Sequence, residues 1–333
     1  MRYTVLTPGS TPTSAVHELS IEVLVGLSEQ PKRLPSRLFY DDEGSRLFQK
    51  ITKLEQNYLP HCELEIFSAH GPTMLAPLAG APLNVIDLGA GDGHKTATLI
   101  AQLKALNAQI RYVPIDISKA AMDTVTQSMA TRFPEIEVAG LVSEYFEGIR
   151  WLGHQSSRRN LVLFLGSNIG NFDKARARGF LRQLWMALDD GDLVLIGFDL
   201  KKDIDRLLNA YNDSDGVTSA FNLNLLTRLN TELGANFDTS RFRHYGTYNA
   251  LTGAMESYLV SLQRQTVAIP ALEASFSFEP WEPIHTEYSY KYLQSDIDDL
   301  ALFTGFEILN RHTDHRGWFC STIWTALKSD QRG

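Results

Sequence analysis

Along this chain the spacing of apolar positions changes period several times, and each change marks an element. Val85, Ile86 and Leu88 make a short apolar run around Asp87, the pattern of a buried strand. Behind it, Leu99, Ile100, Leu103 and Leu106 recur at helical spacing within 94–107. A second strand fits 110–117, and the helix after it takes its apolar face from Ala121, Met122, Val125 and Met129, with Ser118 as its cap. A third strand fits 135–142. The uninterrupted run at 160–165 suits a central parallel strand covered on both sides. A helix over 173–190, capped near Asp173 and stopped by Gly191, leads to a further strand at 193–199. Strands alternating with helices predict a doubly wound parallel sheet.

Outside 61–200 the pattern differs. Residues 1–15 are expected to be loose. Val16, Leu19, Val23 and Leu27 predict a helix, and the segments 34–52 and 54–63 do not continue the strand–helix alternation. Beyond 201, helices fit 204–211 and 218–233, the latter closed by Gly234. The stretch 242–269 is rich in Tyr, Thr and Val around a Leu-Thr-Gly turn at 251–253, and reads as a hairpin. A strand over 284–292, a helix over 295–304 and two strands at 306–313 and 317–327 follow. The expected division is a nucleotide-type domain from 61–200 and 284–333, and a substrate-binding cap from 1–60 and 201–283.

The chemistry is concentrated where strands end. After Leu88, glycines stand at 89, 91 and 93 and a helix follows. Glycine lets backbone bend sharply and lie against a ligand, and a helix N-terminus offers free N–H groups. A dinucleotide fingerprint needs G-x-G-x-x-G, but His94 stands where its third glycine would fall. The spacing is G-x-G-x-G preceded by Asp87, which favours the S-adenosylmethionine (SAM) loop of Rossmann-like methyltransferases over a nicotinamide site. Asp116, at the end of the second strand, is placed to accept from ribose hydroxyls. Glu144 and Tyr145, after the third strand, suit an adenine amino group and ring; an ordinary loop is the alternative. The fourth strand ends in Gly166-Ser167-Asn168-Ile169-Gly170-Asn171, two glycines and two amides where open α/β sheets bind ligands.

Composition narrows the field without naming a substrate. At 333 residues the chain can bury a large core in about two domains. No apolar run approaches the ~18 residues that span a membrane, and residues 1–16 lack an apolar signal core. Two cysteines, Cys62 and Cys320, cannot build a disulfide framework or a cysteine zinc site, and the nine histidines have no ligand spacing, so no metal is expected. A cytoplasmic location follows. The net charge of −8 argues against a nucleic-acid partner.

The strand around Glu287 alternates polar and aromatic residues: His285, Glu287, Ser289 and Lys291 against Tyr288, Tyr290 and Tyr292. Residues two apart share a strand face, so Glu287 and Ser289 point the same way. One can accept an N–H while the other serves a second polar atom, which is a clamp for the two nitrogens of an imidazole. A strand with one solvated face is the alternative.

With these residues assembled, the chain resembles the histidine-specific SAM-dependent methyltransferase family, from about residue 31 to the end. The resemblance rests on LFYDDEGSRLF (38–48), VIDLGAGDGHKT (85–96), FLGSNIGN (164–171), NAYNDSDGVT (209–218), FNLN (221–224) and TEYSYKY (286–292), in that order. It implies a class I methyltransferase sheet completed by a C-terminal β-hairpin, with a smaller substrate-binding cap. It implies that Asp87, Gly89, Gly91, Lys95, Asp116, Glu144 and Tyr145 hold SAM, and that Tyr40, Asn171 and Tyr211 hold the head group of an amino-acid substrate. Tyr40 and Asn171 then stand at the reacting amine. Glu287 and Ser289 hold the imidazole, and Tyr58, Gly166, Asn168 and Ser257 border the pocket. It also implies a monomer acting on a small-molecule amine.

At three positions the chain departs from the family's histidine enzymes. Asn57-Tyr58 stands where two adjacent tyrosines are usual, Asn168 where a threonine is usual, and Ser257 where a methionine borders the imidazole. A family relative methylates a prenylated tryptophan, so another amino acid or small amine is the first alternative substrate. A non-catalytic SAM-binding module is the second alternative. A nucleic-acid methyltransferase would carry an Asn/Asp-Pro-Pro-aromatic loop where GSNIGN stands. The expected reaction is transfer of the SAM methyl to a neutral α-amine, with catalysis mostly from positioning in a closed site.

Overall fold

The computed structural model describes residues 3–5, 12–91, 93–117, 119–143, 145–153 and 158–328. In chain order the elements are β1 (Tyr3–Val5), α1 (Pro12–Ser28), α2 (Asp42–Ile51), α3 (Leu59–Leu75), β2 (Pro82–Leu88), α4 (His94–Ala105), β3 (Gln109–Asp116) and α5 (Lys119–Arg132). Then come β4 (Glu137–Val138), β5 (Gly140–Val142), α6 (Tyr145–Gly153), β6 (Arg159–Phe164), α7 (Lys174–Ala187), β7 (Leu193–Asp199), α8 (Ile204–Tyr211) and α9 (Val217–Leu233). The remainder is β8 (Phe242–Asn249), β9 (Ala254–Ser261), β10 (Gln265–Ile269), β11 (Ala274–Phe278), β12 (Pro283–Tyr290), α10 (Gln294–Thr304), β13 (Phe306–Thr313) and β14 (Phe319–Ala326).

They form two compact units. One comprises Met1–Pro8, Leu59–Lys201 and Lys291–Gly333; the other Gly9–Tyr58 and Lys202–Tyr290. The first holds a nine-stranded sheet in the order β1-β5-β3-β2-β6-β7-β14-β13, with β4 beside β3. Strands β1 to β7 pair in parallel, β14 runs antiparallel beside β7, and β13, antiparallel to β14, runs in the direction of the parallel set again. This is the class I methyltransferase arrangement, hairpin included. Every residue of β7 and of β14 is buried; β7 accordingly runs apolar up to Asp199 instead of alternating, while β14 also buries Ser321, Thr322 and Thr325. The turn joining β13 to β14 is closed by Asp314, whose Oδ1 accepts from the N–H groups of Trp318 and Phe319, both at 2.7 Å. Cys62 and Cys320 are both buried.

The second unit packs α1 and α9 against two small antiparallel sheets, β12-β9-β8 and β10-β11. Leu19, Val23 and Leu27 of α1 meet Phe221, Leu225, Leu226 and Leu229 of α9, together with Leu259, Phe278 and Ile284 of the strands. Gly234 ends α9 at φ +65, where a left-handed residue is required. Among the described residues no helix is long and apolar enough to cross a membrane.

Four expectations are corrected. The stretch 284–290, expected to belong with the nucleotide-type domain, lies in the second unit, where β12 pairs with β9; the first unit resumes at Lys291. The first fifteen residues are not uniformly loose, since Tyr3–Val5 pairs with Gly140–Val142 and α1 begins at Pro12. The third strand splits into β4 and β5 at Ala139, whose N–H goes to the carbonyl of Tyr112. The hairpin read over 242–269 contains β8 and β9, while β10 pairs with β11, which the pattern did not announce. Ser118, the expected cap of α5, lies outside the described residues.

Candidate functional site

In the first unit, β2 lies between β3 and β6, so the chain's path reverses there, and ligands bind outside the strand ends at such a point. Gly89, Gly91 and Gly93 take φ of +72, +55 and +70, backbone that L side chains rarely adopt. A Cβ on Gly89 would fall 2.8 Å from the phenol oxygen of Tyr145 and 3.6 Å from Asn168 Nδ2. Glycine therefore keeps a cradle open between the loop after β2, the start of α6 and the loop after β6. A Cβ on Gly93 would fall 2.6 Å from Val125, so that glycine lets α4 close onto α5.

Asp87 is buried beneath this loop. Its Oδ2 accepts from Thr96 at 2.5 Å and from the Tyr112 hydroxyl at 2.9 Å, so these bonds brace the turn from below. Burial pushes its carboxyl up to about 6, against the downward pull of Thr96, Tyr112 and Lys95, while Asp116 pushes it further up. Asp116 ends β3 half-buried. Tyr145 opens α6 with its ring edge-on to Phe164 and Phe180. Glu144 lies outside the described residues. The donor set suits SAM: a backbone cradle for its chain, a carboxylate at the end of the second strand and an aromatic after the third.

The loop after β6 is shaped with equal care. Gly166 and Ser167 are both left-handed, φ +71 and +61. For serine that conformation costs about 1–2 kcal/mol, and its Oγ offsets the cost by accepting the Asp199 N–H at 2.9 Å. The turn Asn168–Asn171 then carries Asn168 toward Gly89 and leaves Asn171 half-buried at its end. Lys95, in the first turn of α4, is ion-paired at 2.6 Å with Glu63 of α3, whose carboxylate also accepts the Gly166 N–H at 3.0 Å. Neither α3 nor Glu63 was anticipated. The signal was available: Cys62, Ile66 and Phe67 form an apolar helical stripe, and Glu63 is the one charge set in it.

In the second unit the pair β12–β9 organises the remaining candidates. Its register slips between His285 and Glu287, a bulge that leaves Thr286 unpaired in the ladder. Thr286 is buried, with its hydroxyl 3.0 Å from the Ser257 carbonyl and 3.2 Å from Asn222 Oδ1 of α9. The bulge corrects the strict alternation read from sequence. His285 now lies with the tyrosines, its ring 4.0 Å from that of Tyr288 and 5.2 Å from that of Tyr258. Glu287 and Ser289 keep the other face. There Ser257 donates to Glu287 at 3.4 Å, and Tyr211 of α8 donates to Ser289 at 2.6 Å.

Three further candidates come from the segment 40–58. Tyr40 packs edge-on to Phe48 and Phe221, with centroids 5.6 and 5.8 Å away. Asn57 donates its side-chain amide to the Ile51 carbonyl at 3.2 Å, closing the end of α2. Tyr58 is buried, its hydroxyl accepts from Lys202 Nζ at 3.0 Å, and the Arg206 guanidinium lies 5.6 Å from its ring centre.

Comparison with known proteins gives one consistent result. The profile of the histidine-specific, SAM-dependent methyltransferases matches residues 19–326. A histidine N-alpha-methyltransferase of Mycolicibacterium smegmatis is 34% identical over 306 residues, covering 92% of this chain and 94% of that protein. Its counterpart in Mycobacterium tuberculosis is 32% identical over 298 residues, 90% of this chain and 92% of that protein. A 4-dimethylallyltryptophan N-methyltransferase of Claviceps fusiformis is 28% identical over 308 residues, 86% of each chain.

Proposed function

This chain belongs to the family of histidine-specific, SAM-dependent methyltransferases, and from that premise we propose that it methylates the α-amine of L-histidine, carrying it to the trimethylated product hercynine. The observation that carries the reading is the shared face of Glu287 and Ser289, furnished with Ser257 and Tyr211. The Glu287 carboxylate accepts the N–H of one imidazole nitrogen. A serine hydroxyl can accept and donate at once, so Ser289 can bond Tyr211 and serve the second nitrogen. An indole has one N–H and no second ring nitrogen, so it leaves half of this pair unused. The names of the relatives at 34% and 32% identity support the same substrate.

When bound, SAM supplies an electrophilic methyl on a sulfonium. Gly89, Gly91 and Lys95 hold its amino-acid portion, Asp116 its ribose, and Glu144 with Tyr145 its adenine; Asp87 sets the loop's shape. Tyr40, Asn171 and Tyr211 bind the head group of histidine through neutral phenol and carboxamide groups, which add no charge of their own, and Tyr58 borders the pocket. Gly166 and Asn168 border the same head group, and Asn57 the pocket wall. The α-amine is mostly protonated at neutral pH and must lose a proton before it can attack; Tyr40, or water beside it, takes that proton. Excluding bulk water strengthens each of these contacts. We further propose that the chain acts as a monomer and that it works in the cytoplasm, whose reducing conditions suit its two buried thiols.

The test is mass spectrometry of amines incubated with SAM and the purified chain: histidine, its mono- and dimethyl forms, tryptophan, tyrosine and a cell extract. Histidine gaining up to three methyls is the expected result. A methylated product from another amine, with histidine untouched, overturns the imidazole assignment and makes Asn57, Asn168 and Ser257 the marks of a changed pocket.

A further inference from the structure

Glu63 is a fully buried carboxylate that no step above employs, and the first unit is built around it. Its Oε2 lies 2.6 Å from Lys95 Nζ, and both of its oxygens lie 3.0 Å from the Gly166 nitrogen, so one N–H is shared between them. Its side chain is 0% exposed, while that of Lys95 is 27% exposed. Two glycines clear the space. A Cβ on Gly197 of β7 would fall 2.5 Å from Glu63 Oε1, and a Cβ on Gly166 would fall 3.0 Å from Lys95 Nζ. Gly197 does not have positive φ, so its need for glycine is one of room alone. Helix α3, helix α4, strand β7 and the loop after β6 thus each yield a group or a gap to a single negative charge.

Burying a carboxylate is costly even when it is paired, and a helix that needed only to pack here would do so more cheaply with an apolar side chain. The charge answers a local problem. Lys95 stands in the first turn of α4, where the helix dipole already presents partial positive charge. An ammonium added there opposes any cationic ligand at the glycine loop. We infer that Glu63 is a positioning residue that neutralises Lys95 and fixes it against Gly166, so that the loop can accept a sulfonium. The inference rests on the SAM reading above and extends it to a residue outside the binding contacts.

Charge separates this role from a merely structural one. SAM and S-adenosylhomocysteine differ by one methyl and one positive charge, so the ratio of their dissociation constants cancels shape and reports the field. Glu63→Gln keeps the size of the side chain and removes its charge. SAM should weaken relative to S-adenosylhomocysteine by about tenfold, the scale of one charge acting across ~10 Å at an effective dielectric of ~20. The double variant Glu63→Gln/Lys95→Met restores the net charge and should bring the ratio back.

The experiment is calorimetric titration of both ligands into the full chain, its Glu63→Gln variant and the double variant. No SAM binding by the parent would refute the SAM reading itself. With the parent binding SAM, a ratio unmoved in Glu63→Gln overturns the role given to Glu63. Should Glu63→Gln fail to fold, Lys95→Met removes the cation instead and must shift the ratio the other way; a ratio unchanged or raised overturns the inference equally.

Discussion

Asp87 offers a test of the glycine turn that needs no ligand. It is buried beneath the loop, and burial raises its carboxyl from 3.8 to about 6. The folded chain therefore holds this proton more tightly than the unfolded chain. In the window from about pH 4 to 6 the folded state binds more protons at Asp87, so its contribution to stability is whole below pH 4 and is lost as pH rises through 6. A shift of about two units corresponds to ~3 kcal/mol. Asparagine at this position can still accept from Thr96 and Tyr112 but does not titrate. Its added N–H groups shift stability by a constant, whatever the pH. The quantity to measure is the stability of Asp87→Asn minus that of the parent, from urea denaturation of the unligated chain between pH 4 and 7. Every other titrating group cancels in that difference, which should climb by about 3 kcal/mol across the window. A flat difference would mean that Asp87 ionises as freely in the fold as outside it, and the account of the turn's underside would fail.

Three shorter tests address separate links. Glu287→Ala should raise the KM for histidine ten- to a hundredfold, the ~1.5–3 kcal/mol of a hydrogen bond to a charged group, and leave SAM binding unchanged; an unaltered KM sinks the imidazole clamp. Asp116→Ala should weaken SAM binding in calorimetry whichever amine is offered, and intact affinity would remove Asp116 from the ribose. Gly197→Ala should cost about 1–3 kcal/mol of stability through overpacking against Glu63 and the Phe319 ring, and equal denaturation midpoints would show that the cleft around Glu63 has room to spare.

The parts of this fold that could be read from sequence are those whose causes are local. Gly89, Gly91 and Gly93 carry their conformational demand in their own backbone, and the runs at β2, β6 and β7 follow from burial on both faces. The parallel character of the sheet in the first unit came from the same alternation, since parallel strands need helical crossovers and the crossovers are legible as amphipathic segments. Glu287 and Ser289 also share a face because of local geometry, being two residues apart on one strand.

What could not be read depends on partners far along the chain. The face on which His285 lies is decided by a bulge at Thr286, and that bulge exists through pairing with β9 and contact with Asn222. Periodicity within one strand contains no record of its neighbour's register, so strict alternation put His285 on the wrong side. Ser289 meets a hydroxyl 78 residues away, and Glu63 meets a backbone N–H 103 residues away. Such residues still leave a trace, though of another kind. A charge placed in an apolar stripe cannot remain there unpaired, because an unpaired buried carboxylate is among the least tolerable groups in a core. Glu63 beside Ile66 and Phe67 therefore implied a buried cation or donor before either was located. The inference available from sequence was the existence of the partner; only the packing of α3 against α4 and the strands β13 and β14 could identify it as Lys95 and Gly166.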